Sequence, residues 1–254
     1  VKKLIATLCL ALALASFAAA QEELLVSAAA SLTDVLTDLE AEAEKASGCK
    51  VLLNFGGSGA LRKQIEEGAP ADVFFSAAAE DVDKLERAGL LAPGSRVDLL
   101  SNAIVLVGDS SLKAPADIAA LRGLLSGASV LAIGNPSAVP AGRYATEALK
   151  SLGLYQSVEK KLALGGSVRQ VLQFVSSGSA PLGIVFLTDA MTIKPGDKTV
   201  ILYRFPESAL AAPVLYPVAV VAASKHKEAA ARYVGFLRSK EAKDAFTKAG
   251  FVVK

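Results

Sequence analysis

One unit recurs along this chain and narrows the possible folds: an apolar run, a turn of very small residues, and the start of a helix. Leu24-Leu25-Val26 runs into Ala28-Ala29-Ala30-Ser31-Leu32-Thr33-Asp34. Val51-Leu52-Leu53 runs into Gly56-Gly57-Ser58-Gly59 and then the amphipathic stretch Leu61 to Glu67. Later, Val130–Ile133 precedes Asn135-Pro136-Ser137-Ala138-Val139-Pro140-Ala141-Gly142, and Lys161–Leu164 precedes Gly165-Gly166-Ser167. Strands joined through helices rather than hairpins imply an α/β fold with largely parallel sheets. A helix start also exposes unpaired N–H groups and a partial positive charge. Tiny residues let an anion reach those groups, and a serine adds a hydroxyl donor. Taken singly, each serine reads as an N-cap worth about 1 kcal/mol. Taken together, the four starts at Ser31, Ser58, Ala141-Gly142 and Ser167-Val168 point to a protein that grips an oxyanion without a charged side chain.

Apolar spacing predicts a helix over 32–45, closed by Ser47-Gly48, and others over 60–67, 79–88, 116–121, 143–152 and 168–175. Further strands are predicted over 72–76, 104–107, 183–186, 200–202 and 218–222, with closing helices near 228–237 and 241–248. The strand–helix alternation restarts near residue 104 and again after Pro217. This predicts two lobes, residues 21–101 with 217–254 and residues 102–216, joined at Ser101-Asn102-Ala103 and Leu215-Tyr216-Pro217.

The first twenty residues read as a secretory signal: Lys2-Lys3, an apolar stretch from Leu4 to Phe17, and Ala18-Ala19-Ala20 before a cut after Ala20. The apolar run is short for a membrane span. Export implies a periplasmic protein. Removing the leader removes two lysines and no acid, so the formal charge of +2 falls to zero. A neutral chain has no field to attract nucleic acid or anionic lipid. Of the two cysteines, Cys9 lies in the leader, so the mature chain keeps Cys49 alone, a small core residue with no disulfide partner.

Several stretches then carry a family resemblance. They are Ala28 to Asp34, Gly68-Ala69-Pro70-Ala71-Asp72-Val73-Phe74, Gly134-Asn135-Pro136 with Val139-Pro140-Ala141-Gly142, Ala180-Pro181-Leu182-Gly183-Ile184-Val185, and Tyr216-Pro217-Val218-Ala219-Val220-Val221. In this order they resemble the periplasmic molybdate-binding proteins that feed ABC importers, the ModA family. The resemblance implies a type II periplasmic binding protein, two α/β lobes around a ligand cleft. It implies molybdate, with tungstate, as the ligand, and the membrane permease of an ABC importer as partner. The carrier would be a monomer with no cofactor. The implied ligand set is the hydroxyls of Ser31 and Ser58, the main chain of Ala141 and Val168, and the position of Phe186. These residues would hold the metal as its oxyanion, with no direct metal ligand. The family's residue at the last position is often a tyrosine, so Phe186 lacks a hydroxyl that Thr188 would be placed to replace.

Other residues read more plainly. Arg62, Arg143 and Arg169 fall in first turns of helices and read as solvent-facing charges, with a bidentate anion clamp as the alternative. Asp34 and Asp189 read as helix caps. His226 is the single histidine, between Lys225 and Lys227, so no Ser-His-Asp set or metal cluster can be built around it. The chain is thus expected to be a receptor and not an enzyme. Alternatives are a receptor for sulfate, thiosulfate or a sulfonate, and, more remotely, a periplasmic hydrolase on the same fold.

Overall fold

The alternation of strand and helix resolves into two separate sheets. The computed structural model describes residues 22–254; the expected leader and its cut after Ala20 lie outside them. The first sheet contains β1 (Glu23–Ala29), β2 (Lys50–Gly56), β3 (Val73–Phe75), β4 (Val97–Asn102), β10 (Val214–Val220) and β11 (Val252–Val253), in the order β11-β4-β10-β3-β1-β2. The second contains β5 (Ile104–Asp109), β6 (Leu131–Gly134), β7 (Leu162–Gly165), β8 (Leu182–Phe186) and β9 (Thr199–Arg204), in the order β7-β6-β8-β5-β9.

The sheets are mixed rather than largely parallel. β1 is parallel to β2 and β3, and β6 is parallel to β7 and β8. β10 is antiparallel to β3 and β4, and β5 is antiparallel to β8 and β9. The reason is topological. A strand that enters from the other lobe starts at the edge where the parallel strands finish, so it must run against them. The passages between sheets lie at Ala103 and over residues 205–213. The crossover expected at Leu215-Tyr216-Pro217 falls inside β10, where Tyr216 pairs with Leu100. Val214, Tyr216, Val218 and Val220 point into the main core while Ala219 joins the smaller cluster on the other face, so both faces of the strand are packed.

The helix expected over 32–45 is a 3-10 turn, Ala30–Leu32, followed by α1 (Thr33–Asp38) and α2 (Glu40–Ser47), broken at Leu39. Gly48 ends α2 at a φ of 76°, a left-handed position that favours glycine. Then come α3 (Ser58–Glu66), α4 (Ala79–Arg87), α5 (Ile118–Gly127), α6 (Pro140–Ser151), α7 (Tyr155–Val158), α8 (Val168–Ser176), α9 (Leu187–Ala190), α10 (Lys227–Phe236) and α11 (Lys240–Lys248). Side chains on β3 serve both faces of the first sheet. Phe74 packs with Leu61 and Ile65 of α3 and Val82 and Leu85 of α4, while Val73 and Phe75 join the main core. Full burial of such a side chain is worth about 1.5–3 kcal/mol. On α8, Val168, Val171 and Val175 are buried at helical spacing. Each parallel strand thus delivers its following helix start to the same edge of its sheet. Cys49 is buried and free.

Candidate functional site

In open α/β sheets, ligands bind beyond the carboxyl ends of the parallel strands. Here those ends converge from both lobes. A small cavity between them is lined by Ala29 and Ala30 after β1, Gly56 and Gly57 after β2, Ser31, Ser58, Ala77, Val139, Pro140, Val168, and Phe186 at the end of β8. Among the described lining residues there is no carboxylate, lysine, arginine or histidine. Four of the five expected positions, Ser31, Ser58, Val168 and Phe186, line this cavity. Ala141 is fully buried one residue behind the lining Pro140. Pro140 occupies the first position of α6 and carries no N–H, so the first amide that α6 can offer is that of Ala141.

The lobes meet closely beside the cavity. Ala60 N–H donates across the cleft to Ala138 O at 3.2 Å. Gly142 sits where a Cβ would lie 1.8 Å from Gly134 O, so the start of α6 packs directly on the end of β6 and only glycine fits.

The two leading serines do not cap helices. Neither the 3-10 turn at Ala30 nor α3 has a side-chain cap, and the N-cap of α3 is Gly57. Ser58 is fully buried, and its Oγ accepts the N–H of Ala77 at 3.0 Å. Ser31 Oγ lies 2.9 Å from the hydroxyl of Tyr216. Ser167 does cap α8, accepting from Gln170 N–H at 3.2 Å. The freed serine hydroxyls are therefore held by tertiary partners and not by their own helices.

Tyr216 and Asn102, which the sequence reading placed at the expected crossovers and not in the site, complete this network. Asn102 Nδ2 donates to Tyr216 Oη at 3.0 Å and to Thr188 Oγ1 at 2.9 Å, while its Oδ1 accepts the N–H of Ala103 at 2.8 Å. Burial holds the Tyr216 phenol well above its ordinary pKa, so it keeps its proton. Its ring packs edge-on against Phe186 with centroids 5.6 Å apart. Thr188 faces a wider cleft with Ser31, Asp34 and Arg169 rather than lining the small cavity, and its Oγ1 accepts from Asn102. Near-continuous burial along β10 makes Tyr216 look like ordinary core.

The arginines are not free surface charges. Arg62 on α3 is buried and pairs with Asp81 at 3.1 Å and with Glu66. Arg143 on α6 reaches across the lobes to the same Asp81 and lies 3.5 Å from Glu80. Arg169 on α8 likewise reaches Asp34 at 2.5 Å and sits 2.6 Å from Asp189. Two ion-pair clusters thus join the lobes. Asp34 and Asp189 both serve Arg169, and Asp189 also accepts the backbone N–H of Phe186, the N-cap of α9. Asp189 is fully buried, and desolvation pushes its pKa up to about 7 against the opposing pull of Arg169. Asp81, also fully buried, was legible in principle: it precedes Leu85 by one helical turn and so lies on the apolar face of α4.

Comparison with known proteins places this architecture. The sequence pattern of bacterial extracellular solute-binding proteins matches residues 24–252. The molybdate-binding protein ModA of Escherichia coli is 38% identical over 250 residues, 96% of this chain and 95% of that protein. ModA of Haemophilus influenzae is 38% identical over 242 residues, 93% and 92% of the two chains. The solved periplasmic molybdate-binding protein of Azotobacter vinelandii superposes with a TM-score of 0.77 at 26% identity, covering 91% of this chain and 99% of that one. A two-lobed α/β binding fold, matched along nearly its whole length, places this chain in the bacterial extracellular solute-binding protein family, among the ModA proteins.

Proposed function

We propose that this protein captures molybdate, and tungstate with it, in the periplasm and delivers the anion to the permease of an ABC importer. The observation that carries the reading is the cavity between the lobes. It is lined by two buried serine hydroxyls and by residues at the starts of α3, α6 and α8, with no charged side chain among them. Oriented N–H and O–H dipoles supply the compensating positive charge. The ligand set we assign is Ser31 and Ser58 through their hydroxyls, Ala141 and Val168 through their amides, and Phe186 as a wall. The ModA relatives, named for molybdate binding, support the choice of anion. The protein acts as a monomeric carrier and makes no chemical change to its cargo.

Size and protonation set the selectivity. Sulfate has the same charge and shape with shorter bonds, so a ring of donors sized for molybdate leaves some of them unpaired. Hydrogen phosphate brings a proton that needs an acceptor. Calorimetric titration against molybdate, tungstate, sulfate and phosphate tests the reading. Ser58→Ala should weaken molybdate binding roughly 10- to 150-fold, the equivalent of one hydrogen bond to a charged group. Sulfate binding as tight as molybdate binding would overturn the assignment. A receptor for sulfate, thiosulfate or a sulfonate is the second reading, favoured by Phe186, which offers no hydroxyl where the family often has one.

A further inference from the structure

We propose that Asn102 and Tyr216 are positioning residues that orient the Ser31 hydroxyl as a hydrogen-bond donor to the bound anion, and so favour unprotonated oxyanions. The inference rests on the proposed anion site and deepens it. It begins with a group whose polarity is certain. The backbone N–H of Ala103 can only donate, so the atom of Asn102 that faces it at 2.8 Å must be the amide oxygen. The Asn102 NH2 therefore faces the other way, and its two hydrogens go to Tyr216 Oη at 3.0 Å and Thr188 Oγ1 at 2.9 Å.

Tyr216 Oη thus accepts from Asn102 and must place its own proton elsewhere. The residue is fully buried, and burial keeps the phenol protonated. Its remaining hydrogen-bond partner among the described residues is Ser31 Oγ at 2.9 Å. A buried hydroxyl proton with no acceptor is costly, so Tyr216 donates to Ser31. The Ser31 oxygen then accepts from the protein, and its own proton, which has no other acceptor among the described residues, is offered to the cavity. Ser58 reaches the same state by a different route, because its Oγ accepts the N–H of Ala77. Each of the two hydroxyls that line the cavity already accepts one hydrogen bond from the protein and keeps its proton for the guest, so the pair favours an anion that brings no proton of its own. This orientation disfavours hydrogen phosphate and its analogues, in addition to size.

The placement of Asn102 adds a second consequence. It is the last residue of β4, next to the passage into the second lobe at Ala103, and it holds Tyr216 of the first sheet and Thr188 of the second lobe at once. The amide that orients Ser31 is therefore built into the junction between the lobes.

The test is a double-mutant cycle read by calorimetry on the mature protein. Molybdate, tungstate, sulfate and hydrogen phosphate are each titrated. Tyr216→Phe removes the proton given to Ser31 and lets that hydroxyl turn. It should weaken binding of the preferred anion roughly 3- to 10-fold and lower the preference over hydrogen phosphate by about tenfold. In a Ser31→Ala background the same change should have no further effect on either quantity. Asn102→Asp is the second variant: its carboxylate accepts from Tyr216 and reverses the chain, turning Ser31 into an acceptor. The effect of its charge alone is read in the Ser31→Ala background. Thermal melts confirm that each variant is folded, and Asn102→Asp carries the cycle should Tyr216→Phe not fold. A parent that prefers sulfate, with the coupling to Ser31 intact, would overturn the molybdate reading and leave the positioning role standing. A parent that prefers molybdate, with losses equally large in the Ser31→Ala background, would overturn the positioning role. Failure of the parent to bind any of the four anions would overturn both.

Discussion

Gly59→Ala separates the stability of the fold from the closure of the cleft. Gly59 lies in the first turn of α3, next to Ser58, and does not line the cavity. A Cβ there would sit 2.9 Å from Ala138 O and 3.1 Å from its carbonyl carbon and Cα, all backbone atoms of the facing lobe. No rotamer can relieve a clash between a Cβ and backbone. The lobes must draw apart by roughly half an ångström to reach ordinary contact near 3.4 Å, stretching the bond from Ala60 N–H to Ala138 O. Overpacking of this kind costs about 1–3 kcal/mol, which is roughly 5- to 140-fold in affinity. Alanine is also the better helix former, by up to about 1 kcal/mol. With the lobes apart the clash disappears and the helix gain remains. The variant without ligand should therefore melt at or above the temperature of the parent, while calorimetry shows weaker molybdate binding. Parent-like affinity would refute the idea that this close approach of the lobes belongs to the binding state.

Three further outcomes are expected. Phe186→Tyr should tighten molybdate binding by about tenfold, because a hydroxyl added to a ring that lines the cavity contributes a donor to a charged guest; unchanged or weaker binding by calorimetry would show that the ring edge does not face the anion. Asp81→Ala should destabilise the protein by about 3 kcal/mol in urea unfolding, since Arg62 and Arg143 lose a fully buried partner; a loss under about 1 kcal/mol would show that these pairs contribute little. Asp189 has its pKa raised to about 7 when folded, above the unfolded value near 3.9. The folded state then holds the extra proton between these values, so this group's contribution to stability falls as pH rises from about 4 to about 7 and is flat above, by at most about 1.4 kcal/mol per pH unit. The melting temperature of Asp189→Asn relative to the parent should accordingly rise from pH 5 to pH 8, and parallel curves would disprove the raised pKa.

The sequence by itself determined the repeating unit and hence the class of fold. Residues such as Val168, Val171 and Val175, or Gly56-Gly57-Ser58-Gly59 after an apolar run, carry local signals: a spacing, a turn, a helix start. These signals depend on neighbours along the chain, so they survive without the tertiary structure. They also picked out Ser31, Ser58 and Val168, which line one cavity in the structure, whereas Phe186, which lines it too, was expected only from the family resemblance. What the fold decided is where polar groups of distant segments meet. Ser31 and Tyr216 are 185 positions apart, and Arg143 and Asp81 are 62 apart, yet each pair is in contact. A serine at a helix start looks like a cap whether its hydroxyl serves the helix, as at Ser167, or a tyrosine on a returning strand, as at Ser31. Arg143 and Arg169, arginines in first turns of helices, gain carboxylate partners across the cleft only when the first lobe arrives opposite them. The crossover at residues 205–213 escaped the sequence reading for the same reason: Pro217 looks like a break, but its neighbours belong to a strand whose pairing partner, β4, lies more than a hundred residues earlier. Local pattern specifies the elements, and only the closure of one lobe on the other assigns the hydroxyls and charges their partners.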